Sequence, residues 1–268
     1  MQVFNTITNL QSTLDDWRSK DQSIAFVPTM GGLHAGHLSL VTQASQAADK
    51  VVVSIFVNPA QFGEGEDFGD YPRTLEGDLS LLKELQVDCA FTPSIETIYP
   101  NGVHFGVEVG EIGQILCGKT RPHFFTGVVQ VVGRLFDIIR PEVAVFGQKD
   151  YQQLHIIKRF SSGVKILSAP IVREKDGLAM STRNQYLSAN ERKIAVQLRK
   201  TLLQLQKNEL DLPAARKQLQ QYFKLDYLVV LDANTLSKIT NNTSKIAILC
   251  AVFLGSTRLI DNIIFNQG

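Results

Sequence analysis

Two histidines three residues apart, His34 and His37, stand in the stretch PTMGGLHAGHLSLV (residues 28–41), and the whole chain holds five histidines. A helix beginning near Gly36 would set its free backbone N–H groups and its positive end beside both imidazoles, which makes an anion site. Gly31, Gly32 and Gly36 let the backbone come close to a phosphate, and imidazole donors there could stabilise charge that develops in a transition state. Metal binding is the weaker reading. Zinc proteases space their histidines at i and i+4 with a Glu between; here the spacing is i and i+3 and the residues between are Ala35 and Gly36. Taken alone, the pair leaves phosphate handling, packing and metal ligation open, with phosphate handling favoured.

Other stretches carry matching chemistry. In FGQKDYQQ (residues 146–153), Lys149 is a point charge suited to phosphate, Asp150 a helix cap, and Gln153 both donor and acceptor; a plain solvated junction reads equally well. In LAMSTRNQYLS (residues 178–188), the hydroxyls of Ser181 and Thr182 and the Arg183 guanidinium could hold a polyphosphate, or line a hydrophilic loop. The polar, Gly-rich run of residues 58–78 puts Gln61 at a strand end, and its acids suggest magnesium, with Asp78 as a candidate ligand. Glu64, Glu66, Asp67 and Asp70 read equally as solvated loop acids. One competitor is GQILCGKT (residues 113–120), which matches the NTPase phosphate loop G-x-x-x-x-G-K-[ST]. Its context is poor: no clear strand precedes it, Pro122 follows Thr120 by two residues, and RPHFFTG (residues 121–127) does not read as helical.

These residues need elements to position them. Apolar, β-branched runs at residues 23–30, 50–58, 88–94, 142–147 and 164–170 read as buried strands, and the amphipathic stretches between them read as helices, including residues 128–140. Fully apolar strands alternating with helices predict an α/β fold: a Rossmann-like parallel sheet with helices on both faces. Ligands in such sheets bind outside the carboxyl ends of the strands, where PTMGGLHAGH, NPAQFG and GQKD fall. After about residue 172 the pattern changes. Ser188 and Glu191 form a capping-box signature, two helices follow, and LDYLVVLD, SKIAILCAVFLG and TRLIDNIIFN read as antiparallel strands. The chain therefore divides into a sheet domain at residues 1–172 and a smaller C-terminal α+β domain at residues 173–268.

Composition bounds the partners. With 268 residues, 44% hydrophobic, 20% charged and a net charge of +1, no electrostatic case exists for nucleic acid or an anionic membrane surface. Three cysteines without a CxxC motif read as buried thiols of a reducing cytosol. The N-terminal residues lack a secretory pattern, and no run of apolar residues is long enough to span a membrane.

In chain order, PTMGGLHAGH, FVNPAQFG, YPRT, RP.F.G, FGQKDYQQL and VREKDGLAMSTRN resemble the motifs of the pantothenate synthetase (pantoate–β-alanine ligase) family, part of the nucleotidyltransferase superfamily with HxGH and KMSKS-type signatures. The likeness runs over nearly the whole chain. It implies a cytoplasmic homodimeric enzyme that joins pantoate to β-alanine through a pantoyl adenylate, with ATP going to AMP and pyrophosphate and Mg2+ as cofactor. It makes residues 1–172 the ATP- and pantoate-binding domain and residues 173–268 a lid. By similarity, Met30, Gly31, Gly32, Leu33, His34, Ala35, Gly36 and His37 would line ATP, as would Gly147, Gln148, Lys149, Asp150, Val172, Met180, Ser181, Thr182 and Arg183. His37 would act in catalysis, with His34, Lys149 and Arg183. Gln61 and Gln153 would bind substrate, and Asp78 would sit near the metal, although Gly77 replaces an acid or amide of relatives.

Three departures stand out. GQKD replaces the family's GEKD, MSTR replaces MSSR, and RPHFFTG replaces RPGHFxG, so that His123 takes the Gly place and Phe124 the His place. The competing functions are a nucleotidyltransferase that attaches a nucleotide to a phosphorylated acceptor and a catalytically dead nucleotide-binding regulator. The Gln61 and Gln153 amides favour the ligase over the first, and the intact His34, His37, Lys149 and Arg183 set favours it over the second.

Overall fold

The structure, a computed structural model, describes residues 1–103 and 107–267. The described chain runs β1 (Gln2–Phe4), α1 (Ile7–Ser19), β2 (Ile24–Thr29), α2 (Ala35–Ser45), β3 (Lys50–Ile55), α3 (Leu75–Glu84), β4 (Cys89–Phe91), α4 (Ile95–Ile98), α5 (Cys117–Thr120), α6 (Phe124–Ile139), β5 (Val143–Gly147), α7 (Tyr151–Phe160) and β6 (Lys165–Ala169). Then come α8 (Ala189–Gln206), α9 (Leu212–Gln220), β7 (Lys224–Asp232), β8 (Lys245–Leu254) and β9 (Thr257–Asn266). Contacts divide it into two compact units. One is Met1–Gln148 with Gln152–Pro170; the other is Lys149–Tyr151 with Ile171–Gly268.

The first unit holds a six-stranded sheet in the order β1-β4-β3-β2-β5-β6, every neighbouring pair parallel. The five strands expected from apolar runs are present. β1 is an addition: it is three residues long and exposed, so its pattern is too short to read. The inner strands β2, β3 and β5 are mostly apolar because both faces are covered. On β2, Ala25 and Val27 pack with Leu40, Val41 and Ala44 of α2. Phe26, between them on the opposite face, meets Phe136 of α6 edge-on with ring centroids 6.2 Å apart. Phe26 is fully buried, so its truncation to Ala would cost about 3–5 kcal/mol.

From β2 the chain winds outward through β3 to β4, then crosses to place β5 on the other side of β2. The β2–β5 border is thus the topological switch point, and sheets of this kind bind ligands outside the carboxyl ends of the strands there. The histidine motif leaves β2 at that end, and Gly147 and Gln148 leave β5 there.

One expectation fails locally. RPHFFTG, which reads as non-helical, contains the start of α6 at Phe124, and Cys117–Thr120 makes a helical turn before it. His123 adopts φ 72°, and this left-handed residue turns the chain between the two helices. A residue-type pattern does not reveal such a turn, because His enters that region only occasionally.

The second unit packs α8 and α9 against an antiparallel sheet in the order β7-β8-β9. Leu198, Leu202, Leu219, Ile248, Cys250 and Val252 form its core. The expected capping box opens α8: Ser188 Oγ accepts from Glu191 N at 3.3 Å, and Glu191 Oε2 accepts from Ser188 N at 2.9 Å. All three cysteines are free and buried. Burial pushes the Cys89 thiol up to about 12, which makes it an inert packing residue rather than a nucleophile. No described helix is long and apolar enough to cross a membrane.

Candidate active site

Each unit carries its own part of the expected set. In the first, Gly31 and Gly32 turn the chain at φ 81° and 61°, a conformation glycine reaches without the Cβ penalty. α2 then starts at Ala35 with His34 as its cap. His34 Nδ1 accepts from Gly36 N at 3.1 Å, and His37 Nδ1 accepts from His34 N at 3.4 Å. The two rings lie 4.1 Å apart, tilted by 33°. A ring nitrogen that accepts carries no proton, so the neutral form of each imidazole has its N–H at Nε2. The sequence order thus yields two imidazoles side by side at a helix start, each with Nε2 as its donor. Leu33, Ala35 and Gly36 complete the loop, with Ala35 exposed.

Gln61 follows β3 and is held by a buried network. Asn58, 1% exposed, donates from Nδ2 to Gln61 Oε1 at 3.2 Å and to the Gly127 carbonyl at 3.1 Å. Its Oδ1 accepts from the Tyr99 hydroxyl at 2.8 Å and from Ala60 N at 3.2 Å. These four bonds saturate the Asn58 amide and fix which way it faces. Gln61 Nε2 donates in turn to the sulfur of Met30, which ties Gln61 to the histidine motif. Gly127 is required here: a Cβ on it would lie 2.1 Å from the Ala60 carbonyl oxygen.

Arg121 closes this side. It grips Glu66 with both Nε and Nη2, at 2.6 and 2.5 Å, reaches the Gln61 carbonyl at 3.2 Å, and stacks 3.8 Å over the Phe124 ring. Glu66, read as a loop acid, therefore orders its loop. His123, in the family's Gly place, is exposed and has the positive φ that explains a glycine there. Gln153 is half-buried on α7. Its neighbour Gln152 is buried and holds the 112–117 segment, donating to the carbonyls of Ile112 and Ile115 at 2.8 Å and accepting from Cys117 N at 3.1 Å. That segment is the phosphate-loop look-alike. No strand precedes it among the described residues, and Lys119 and Thr120 are exposed.

Asp78 sits at the start of α3 and is 2% exposed. Its Oδ2 accepts from Gly32 N at 2.9 Å, and its Oδ1 from Leu33 N at 2.8 Å and Thr74 Oγ1 at 3.2 Å. Both oxygens of the expected metal ligand thus have backbone N–H partners. Among the described residues no group of three or more His, Cys, Asp or Glu side chains could hold a metal ion. This donor set fits a magnesium ion carried by the phosphates of a nucleotide rather than one caged by protein.

The second unit gathers the remaining set. Lys149, Asp150 and Tyr151, directly after β5 in the chain, cluster with it. Asn262 Nδ2 on β9 donates to the Lys149 carbonyl at 2.9 Å, and the Tyr151 hydroxyl to the Ala233 carbonyl at 2.9 Å. Burial holds the Lys149 ammonium below the ordinary lysine value; Asp150 opposes, Arg183 pushes further down as a like charge, and Asp261 opposes. Met180 N donates to the Val172 carbonyl at 3.0 Å, and Ser181 Oγ caps the turn of Thr182–Tyr186 by accepting from Arg183 N at 3.3 Å. Arg173, between Val172 and this turn, makes a paired bridge to Asp261 at 2.7 and 2.8 Å. β9 thus anchors both the Lys149 segment and the 173–183 segment. Asp261 and Asn262 hold these two segments, and the sequence motifs do not single them out. Their signal is two adjacent polar residues inside an otherwise apolar stretch of β9, LIDNII.

The profile of the family described as pantoate-beta-alanine ligase matches residues 2–264. The chain is 57% identical to the pantothenate synthetase of Ruthia magnifica subsp. Calyptogena magnifica, over the full length of both. It is 47% identical to that of Syntrophomonas wolfei subsp. wolfei, over 98% of this chain and 99% of the relative. Among solved structures, pantothenate synthetase from Thermus thermophilus superposes with a TM-score of 0.90 at 39% identity, covering 98% of this chain and 99% of that one. Pantoate-beta-alanine ligase from Francisella tularensis, complexed with beta-gamma ATP and beta-alanine, gives 0.86 at 36% identity, covering 98% and 97%.

Proposed function

Because the chain belongs to the pantoate–β-alanine ligase family and is an ATP-binding ligase of pantothenate biosynthesis, we propose that it condenses pantoate with β-alanine by way of a pantoyl adenylate. The observation that carries this reading is the pair of imidazoles at the start of α2, beside the β2–β5 switch point.

Pantoate enters as a carboxylate, already a nucleophile at neutral pH, so no covalent residue of the protein is needed. One carboxylate oxygen attacks the α-phosphorus of ATP, the bond from that phosphorus to the bridging oxygen breaks, and pyrophosphate leaves with the electron pair. The protein's task is to position the reactants and stabilise charge. His37 and His34 donate from Nε2 to the phosphate oxygens as negative charge builds. Lys149 and Arg183 offset the charge of the phosphates, the Ser181 and Thr182 hydroxyls donate to them, and attraction to a phosphate offsets the burial cost that depresses Lys149. Met30, the 31–36 backbone, Gly147, Gln148, Asp150, Val172 and Met180 enclose the nucleotide. Mg2+ bound to the triphosphate would offset charge on the leaving pyrophosphate.

Gln61, its amide fixed by Asn58, and Gln153 hold pantoate with neutral groups, which suits a hydroxy acid whose own carboxylate must stay reactive. In the second half the β-alanine amine attacks the acyl carbon. The bond from that carbon to the adenylate oxygen breaks, the amine loses a proton, and AMP leaves with the oxygen that came from pantoate. Residues 1–172 would bind ATP and pantoate and residues 173–268 act as the lid, in a cytoplasmic homodimer.

The oxygen transfer gives the test. Pantoate labelled with 18O in its carboxylate should deliver one labelled oxygen to the phosphate of AMP. Unlabelled AMP would rule out the acyl adenylate.

A further inference from the structure

We propose that Asp78 is a positioning residue of the histidine loop and not a ligand of the metal. Two consecutive left-handed glycines, Gly31 and Gly32, aim the N–H groups of residues 32 and 33 in one direction and so form a small anion-binding concavity. In this chain that concavity is filled from within. Asp78 takes Gly32 N on one oxygen at 2.9 Å and Leu33 N on the other at 2.8 Å, and the Thr74 hydroxyl steadies the second oxygen at 3.2 Å. The fit is tight, since a Cβ on Gly31 would lie 3.0 Å from Asp78 Oδ2. The backbone amides that the sequence pattern offers to a phosphate are therefore occupied by an internal carboxylate.

Geometry explains what this does. Gly32 and Leu33 immediately precede His34, the cap of α2, whose ring in turn meets His37. A carboxylate accepting two successive N–H groups fixes the path of that backbone through charge-assisted bonds. Asp78 is itself anchored in the first turn of α3, whose Leu82 is fully buried in the sheet core. The rigidity of the core thus passes through Asp78 to the direction in which α2 and its two imidazoles start.

The proposal rests on the use of His34 and His37 in the reaction above, and its two tests separate the readings. Asp78→Asn keeps the size but puts an NH2 group against a backbone N–H. Turnover should fall on the order of 10- to 100-fold, as expected when reacting groups shift by about 1 Å. The magnesium concentration that gives half-maximal rate should stay unchanged. A rate restored by excess magnesium would make Asp78 a metal ligand, and an undiminished rate would leave it no role; either overturns the proposal. The second test needs neither a variant nor substrate. Amide hydrogen exchange of the wild-type chain should show Gly32 and Leu33 strongly protected. Exchange at the rate of open loop amides would overturn the brace whatever reaction the protein performs.

Discussion

Asn262 donates its side-chain amide to the main-chain carbonyl of Lys149 at 2.9 Å, joining positions 113 residues apart in the chain. The adjacent Asp261 pairs with Arg173 through both its oxygens. Two neighbouring strand residues thus hold the two segments that carry Lys149 and Arg183. Replacing Asn262 with Ala removes its hydrogen bond to the Lys149 carbonyl and should lower unfolding stability by about 1 kcal/mol. It should also raise KM for ATP more than it lowers kcat. Steady-state kinetics with denaturant unfolding checks both; a stability loss with unchanged KM would confine Asn262 to folding.

The Tyr99 hydroxyl should act at a similar remove on the proposed pantoate site. It donates to Asn58 Oδ1, and this bond sets the direction of the amide that holds Gln61. In Tyr99→Phe the Asn58 oxygen keeps Ala60 N but loses the hydroxyl, at a cost of about 1 kcal/mol. KM for pantoate should rise while KM for ATP stays near its original value. An equal change in both would show a general loosening rather than a directed one.

Lys149 predicts a pH dependence with a definite sign. Its folded-state value lies below the ordinary 10.5, chiefly through burial. Between the folded and unfolded values the unfolded chain binds more protons, so stability rises with pH there. The Lys149 contribution should grow as pH climbs toward 10.5, so the nucleotide-free wild type should gain stability relative to Lys149→Met over that range. The same variant should be more stable than wild type at neutral pH, where it no longer buries a charge, yet bind ATP more weakly. Thermal melts across pH check the sign, and a wild-type stability that falls with pH no less than that of the variant would contradict it.

His37→Ala would remove the donor proposed to act on the transition state. Turnover should drop on the order of 100-fold or more, as for loss of one preorganised donor. Because His37 Nδ1 also accepts from His34 N, a modest stability loss should accompany it. A rate within a few-fold of wild type in single-turnover kinetics would remove His37 from the chemistry.

The parallel sheet is legible because β2, β3 and β5 are short apolar runs whose ends coincide with Gly, Asn and polar motifs. β1 escapes because Gln2–Phe4 is three residues of exposed edge. The histidine pair is legible from residue type and spacing, and the structure adds which ring nitrogen accepts. Asp78 is legible by residue type, and sequence cannot show that Gly32 and Leu33 occupy its oxygens. The residue pattern starts helix α6 at residue 128, whereas it begins at Phe124. The left-handed turn at His123 and the close approach of Gly127 to Ala60 arise only in three dimensions. Tyr99, Asn58, Asp261 and Asn262 escape for the same reason: each works through a partner far away in the chain.

The central claim is the condensation itself. The protein should be incubated with ATP, magnesium, pantoate and β-alanine, and AMP, pyrophosphate and pantothenate followed together. AMP and pantothenate formed in equal amounts, and only when both pantoate and β-alanine are present, is the predicted result. No AMP under these conditions, or ADP in its place, would contradict the account.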